Sequence, residues 1–220
     1  MIDGIRFKVC GLTSLVDADF ADRCGADYLG FIFYPESPRH ISLVQFRAMQ
    51  PQLPPRKKVA VSVMPTLDEL GAFADAGADF FQVHFPHDTP VETIRTWSQA
   101  VGSARLWLAP RLPPHIDVAG AWLPLAGTFL HDKFHSEKFG GTSEASDWEK
   151  FVRQRRKHPQ KTWILSGGLG PDNIAAALEK TGAKFVDVNS GVESAPGVKD
   201  STKLKKFVVA LHHARTESGS

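Results

Sequence analysis

Short apolar runs alternate with amphipathic stretches along nearly the whole chain, regularly enough to be counted. Runs at 6–10, 27–33, 57–63, 79–84, 105–109, 127–132, 162–166 and 184–188 have the length and composition of buried strands. The segments between them carry apolar residues at helical spacing, so the pattern predicts eight βα units around a parallel sheet. A glycine echo supports the count. Gly25-Ala26-Asp27, Gly77-Ala78-Asp79 and Gly182-Ala183-Lys184 each close a predicted helix and open a strand; they recur 52 and 105 residues apart, two and four units of about 26. Eight units can close into a (β/α)8 TIM barrel or spread into a large doubly wound sheet, and the uniform period favours the barrel. The stretch from Pro110 to Trp122 is the least legible, because Pro110, Pro113 and Pro114 interrupt any helix before Ile116.

A chain of 220 residues with 42% apolar content can bury one substantial core, so a single barrel domain over 1–220 is expected, with a tail that frays from about 215. Charge excludes one class of partner. Twenty-six basic against 24 acidic residues leave a net charge of +2, and the small cluster Pro55-Arg56-Lys57-Lys58 reads as a solvated loop, so nucleic acid is not an expected partner. No apolar stretch approaches the roughly 18 residues that cross a bilayer, and Met1-Ile2-Asp3-Gly4 lacks the layout of a signal peptide; no membrane is expected, and the location expected is cytoplasmic. Cys10 is expected at a strand end and Cys24 in a buried helix, both as reduced thiols. With neither Cys-x-x-Cys nor His-Glu-x-x-His, no metal site is expected.

In a barrel, function sits where strands end and the following loops begin, and several reactive residues fall in those slots. Alternation along strand 1 sends Lys8 and Cys10 inward and Phe7 and Val9 toward the helices. Cys10 is then either an ordinary buried apolar side chain or a thiol that meets a ligand. Asp132 ends strand 6; it reads as a loop-capping carboxylate or as a general acid whose pKa apolar surroundings would raise. Arg39 follows strand 2, where its fork could hold a carboxylate or simply lie on the surface. Gln82 and His84 share a face at the end of strand 4. The Gly-rich turns Ser166-Gly167-Gly168-Leu169-Gly170 and Asn189-Ser190-Gly191 follow strands 7 and 8; each is expected to lead into a helix start, Pro171 opening the first, and together they suit a phosphate. Closure of the barrel would bring Asp187 beside Lys8 as a buried pair.

Taken together, these motifs resemble the phosphoribosylanthranilate isomerase family from Lys8 to about Phe207. The resemblance rests on Lys8-Val9-Cys10-Gly11-Leu12-Thr13, Gly30-Phe31-Ile32-Phe33 with Ser37-Pro38-Arg39, Gln82-Val83-His84, Gly140-Gly141-Thr142, Ser166-Gly167-Gly168-Leu169, and Asp187 through Glu193 with Pro196-Gly197 and Lys199-Asp200. It implies an Amadori rearrangement of a phosphorylated aminosugar in tryptophan biosynthesis, without a cofactor, by a monomer or homodimer. It also implies Cys10 as general base and Asp132 as general acid, with Arg39 on the anthranilate carboxylate. His84, Gly141 and Asp187 would contact substrate, and Gly167, Gly168, Ser190 and Gly191 would hold the phosphate. The chain departs from the family at Phe85 and Ser143, where glycine is usual, and at Asn189 and Ser62. Phe85 is expected to narrow the pocket mouth, and it is the signature of the rival reading, a paralogue that binds without turnover. A further enzyme reading is isomerisation of a different phosphorylated aminosugar.

Overall fold

The computed structural model describes residues 1–132 and 147–216. Eight parallel strands close a barrel in sequence order: β1 (Arg6–Val9), β2 (Tyr28–Ile32), β3 (Lys57–Val63), β4 (Phe80–Pro86), β5 (Leu106–Arg111), β6 (Thr128–His131), β7 (Thr162–Leu165) and β8 (Phe185–Val188). Closure is made by β1, which pairs with β2 through Lys8 and Tyr28 and with β8 through Lys8 and Asp187. Each strand falls on a predicted apolar run, with its ends displaced by two residues at most.

Around the strands lie α1 (Leu15–Arg23), α2 (Leu43–Met49), α3 (Leu67–Asp75), α4 (Val91–Val101), α5 (Trp148–Lys157), α6 (Ile174–Thr181) and α7 (Ser201–Thr216). Several starts are written in local chemistry. Ser42 with Gln45 and Thr66 with Glu69 form capping boxes, and the Asp147 side chain accepts from the Lys150 amide at the start of α5. Between β5 and β6 the prolines leave only a 3-10 turn, Gly120–Leu125, where the other units carry an α-helix. Among the described residues no helix is long and apolar enough to cross a membrane.

Alternation divides the strand residues as the pleat requires. Phe7 and Val9 face outward, and Phe7 meets Phe207 of α7 at 6.3 Å between ring centroids. Inside, the N-terminal end of the barrel is closed by Tyr28, Phe80, Trp107 and Phe185, whose rings touch at centroid distances of 5.0–5.7 Å. The Arg6 guanidinium lies 4.8 Å from the Phe185 ring centre.

Four expectations are corrected here. Phe85 does not narrow the pocket mouth: strand alternation turns it outward, where it is fully buried against Trp97 of α4 and Trp122. Pro171 does not open α6; it belongs to a turn, and the helix begins after Asn173. The turn after β8 leads into a short 3-10 turn, Ser190–Val192, and then a hairpin of β9 (Glu193–Ala195) and β10 (Val198–Lys199), before α7 starts. Cys24 also differs from expectation, since it is the half-buried C-cap of α1 rather than a buried helix residue; both cysteines are free thiols.

Candidate active site

The C-terminal ends of the strands surround a cavity of about 590 Å³, onto which Cys10, Arg39, His84, Asp132, Gly167, Gly168, Asp187 and Ser190 all open. Its floor is a row of polar side chains directly above the aromatic plug. Lys8 Nζ donates to Asp187 Oδ2 and to Gln82 Oε1, both at 2.9 Å, and no part of Lys8 reaches solvent. Glycine at position 30 makes room for this row, because a Cβ there would lie 2.7 Å from Lys8 Cε and 3.1 Å from Cys10 Sγ. A glycine inside an apolar strand is the sequence signal of such a close approach.

The charges of the row are set by balance. Burial alone would lower the Lys8 ammonium, but the Asp187 carboxylate and the Cys10 thiol outweigh it and raise its pKa, so Lys8 stays charged. Burial pushes Asp187 up against the pull of Lys8, and its Oδ1 has no hydrogen-bond partner among the described residues. Burial likewise raises the Cys10 thiol; Lys8 pulls it down and Asp187 pushes it back up. The resting site therefore holds Cys10 as a thiol. His84, beside Gln82 at 2.8 Å, is held neutral by burial and by Lys8, with a pKa of about 4.

Arg39 is held from behind. Its Nε and Nη2 donate to Glu193 at 2.9, 3.0 and 2.7 Å, and Lys199 Nζ bonds the same carboxylate at 2.8 Å and Asn189 Oδ1 at 2.9 Å. Two cations on one carboxylate outweigh its burial and hold Glu193 below the ordinary glutamate range. Gly11, at φ +70°, threads between Asn189 and Arg39, where a Cβ would come within 2.6 Å of Asn189 Oδ1. On sequence alone Glu193 and Lys199 had no role beyond membership of a motif. Their signal lay in two opposite charges flanking the Pro196-Gly197 turn of a hairpin.

On the far wall, Asp132 follows β6 directly, three strands round from β1. Behind it His131 donates from Nε2 to the Asp147 carbonyl, and burial lowers its pKa to about 4. Nearby, Lys150 bonds the carbonyls of Leu112 and Pro113, and burial pulls it down to about 8. The turns after β7 and β8 are pressed together. Gly167 and Gly168 take φ values of +90° and +64°, and a Cβ on Gly191 would lie 2.0 Å from the Leu169 carbonyl oxygen, so Gly191 serves the packing of the two turns. Gly141 and the rest of Gly140-Gly141-Thr142-Ser143 lie outside the described residues.

Among the described residues no group of three His, Cys, Asp or Glu could hold a metal ion. A second hollow, of about 900 Å³ between α1 and α7, is lined by Phe20, Cys24, Val208 and Val209 with Arg23, Lys205 and His212 at its rim. No carboxylate lines it, so the chemistry is assigned to the barrel cavity.

A closed eight-stranded βα barrel with a thiol and a carboxyl group facing one polar cavity at its strand ends defines a barrel enzyme for a small anionic substrate. Comparison with known proteins narrows the class. The model of the N-(5'-phosphoribosyl)anthranilate (PRA) isomerase family matches residues 7–210. The N-(5'-phosphoribosyl)anthranilate isomerase of Cellvibrio japonicus is 34% identical over 98% of this chain and 97% of its own length. Phosphoribosylanthranilate isomerase of Thermotoga maritima, solved as mutually generated monomers of the dimeric enzyme, superposes with a TM-score of 0.76 at 31% identity, over 94% of this chain and 97% of that one. A phosphoribosylanthranilate isomerase in complex with reduced 1-(o-carboxyphenylamino)-1-deoxyribulose 5-phosphate gives 0.71 at 30% identity, over 93% and 96%. The chain belongs to the phosphoribosylanthranilate isomerase family.

Proposed function

We propose that the chain carries out its family's Amadori rearrangement, converting N-(5′-phosphoribosyl)anthranilate to 1-(2-carboxyphenylamino)-1-deoxyribulose 5-phosphate in tryptophan biosynthesis, with Asp132 as general acid and Cys10 as general base. The observation that carries this reading is that thiol and carboxyl face each other across one cavity, in a chain whose family matches from residue 7 to residue 210. Asp132 protonates the ribose ring oxygen, the C1–O bond opens, and the anthranilate nitrogen becomes a cationic Schiff base. Cys10, as thiolate, then takes the C2 proton, and the electron pair flows to the iminium; the resulting enol settles as the aminoketose.

The electrostatics suggest when the base forms. The protein by itself favours the neutral thiol, because burial outweighs Lys8. The iminium adds a positive charge inside the cavity, and a nearby cation stabilises a thiolate. Ring opening therefore prepares its own base. Arg39, with Nε and Nη2 committed to Glu193, offers its Nη1 edge to the anthranilate carboxylate. The backbone around Gly167, Gly168 and Ser190 takes the phosphate, and the Asp187 carboxylate on the cavity wall accepts from a sugar hydroxyl. We place this chemistry in the cytoplasm, where two unpaired thiols stay reduced, in a monomer or homodimer.

The test follows the fluorescence of phosphoribosylanthranilate generated in place. Turnover is expected for the parent and loss of about 10²–10⁴-fold in kcat for Cys10→Ser and for Asp132→Asn, with binding of a product analogue retained. Near-parental turnover by either variant removes that residue from its role, and a parent that binds the analogue without turnover overturns the reading.

A further inference from the structure

The row beneath the cavity contains a chain of hydrogen bonds whose direction is fixed by chemistry. Lys8 can only donate while it carries its charge, so the Gln82 atom that faces it at 2.9 Å must be the carbonyl oxygen. That settles the other end of the amide. The Gln82 group 2.8 Å from His84 Nε2 is then the NH2, a donor without acceptor capacity, and Nε2 must accept. A neutral imidazole that accepts at Nε2 carries its proton on Nδ1.

We propose that Gln82 is a positioning residue that locks His84 as the Nδ1–H tautomer, so that the cavity is offered a ring N–H donor for a substrate oxygen. The lock starts from Asp187, which fixes Lys8, and runs through Lys8 and Gln82 across β8, β1 and β4. Each link is buried: Lys8 is wholly enclosed, Gln82 is 2% exposed and Asp187 5%. An amide rotated by half a turn would set its NH2 against the Lys8 ammonium, losing that bond and placing two donors face to face. His84 stays uncharged because burial and Lys8 both disfavour the imidazolium. It lines the same cavity as Cys10 and Arg39, where a hydroxyl or carboxylate oxygen of the substrate is the complement of an N–H donor. What the donor serves rests on the isomerase reading; the tautomer itself does not.

The experiment uses the ligand-free protein labelled with 15N in histidine, with the His84 signals identified by their loss in His84→Gln. At neutral pH a pyrrole-like Nδ1 and a pyridine-like Nε2 are expected for His84. Gln82→Met should release the lock, moving both nitrogens toward tautomer-averaged shifts, and should raise the KM for phosphoribosylanthranilate about tenfold while kcat changes less. A parental His84 protonated on Nε2 overturns the proposal whether or not the variant folds. So does a folded Gln82→Met in which His84 remains wholly Nδ1–H. Failure of the isomerase reading would show as absent turnover with the parental tautomer intact, so the two failures are distinct.

Discussion

The barrel interior holds two adjoining rows of opposite character. Tyr28, Phe80, Trp107 and Phe185 fill the N-terminal end with four touching rings, while one step toward the C-terminal ends of the strands stand Lys8, Gln82 and Asp187, joined by polar bonds. The alternation of single strands produces both: Phe185 and Asp187 are two residues apart on β8, and Phe80 and Gln82 are two apart on β4. The lower row needs only shape to be stable. The upper row, sealed from below by the rings, must match each charge with a partner, and that necessity fixes donors and acceptors at the floor of the cavity. Stability and chemistry are thus written in neighbouring layers of one core.

Removing a ring should separate the layers most clearly. Phe185→Ala leaves a cavity in the plug and is expected to cost roughly 3–5 kcal/mol of unfolding free energy, the range for large aromatic truncations in a packed core. The protein that remains folded should retain kcat within a fewfold of the parent. Denaturant unfolding checks the first expectation and turnover by the folded fraction checks the second; a kcat lost in parallel with stability would break the division.

The next effect is smaller and belongs to the upper row and its surroundings. His84 and His131 are both held near 4, below the ordinary histidine value of 6.5. Between those values the unfolded chain binds protons that the folded one refuses, so stability should rise with pH from about 4 to 6.5 and be fully present above it. His84→Gln should flatten part of that slope, by on the order of 1–3 kcal/mol across the interval, whereas Phe185→Ala should lower the curve without changing its slope. Equilibrium unfolding at a series of pH values makes the comparison.

The same contrast explains what the sequence disclosed. Strand positions were legible because apolar runs and helix-closing glycines at Gly25, Gly77 and Gly182 repeat with the unit length. The inward thiol and the Lys8–Asp187 pair followed from alternation plus closure, which only the topology had to supply. Phe85 was misplaced because a substitution at a family glycine suggested the mouth, although its own parity on β4 turns it toward Trp97. The Glu193–Arg39–Lys199 network was not legible. Its three members lie on separate segments, and the hairpin that unites them is too short to show a period. Pro171 misled for a related reason, since a proline that suits a helix start also suits the turn before one.

On the proposed mechanism the buried charges of the upper row serve chemistry rather than stability, and one pair of variants measures that division. Lys8→Met alone strands the Asp187 carboxyl in the interior and should cost several kcal/mol, about 3–5 for a broken buried pair. Lys8→Met combined with Asp187→Leu removes both charges, and its unfolding free energy should return to within about 1 kcal/mol of the parent or exceed it. Turnover should not return: kcat/KM is expected to stay down by at least about 10²-fold, because Lys8, the main cation that draws down the Cys10 thiol, is gone and no donor fixes the Gln82 oxygen. Recovery of stability with lost turnover is the predicted result. A double variant as unstable as the single one, or one that turns over substrate like the parent, would contradict the account.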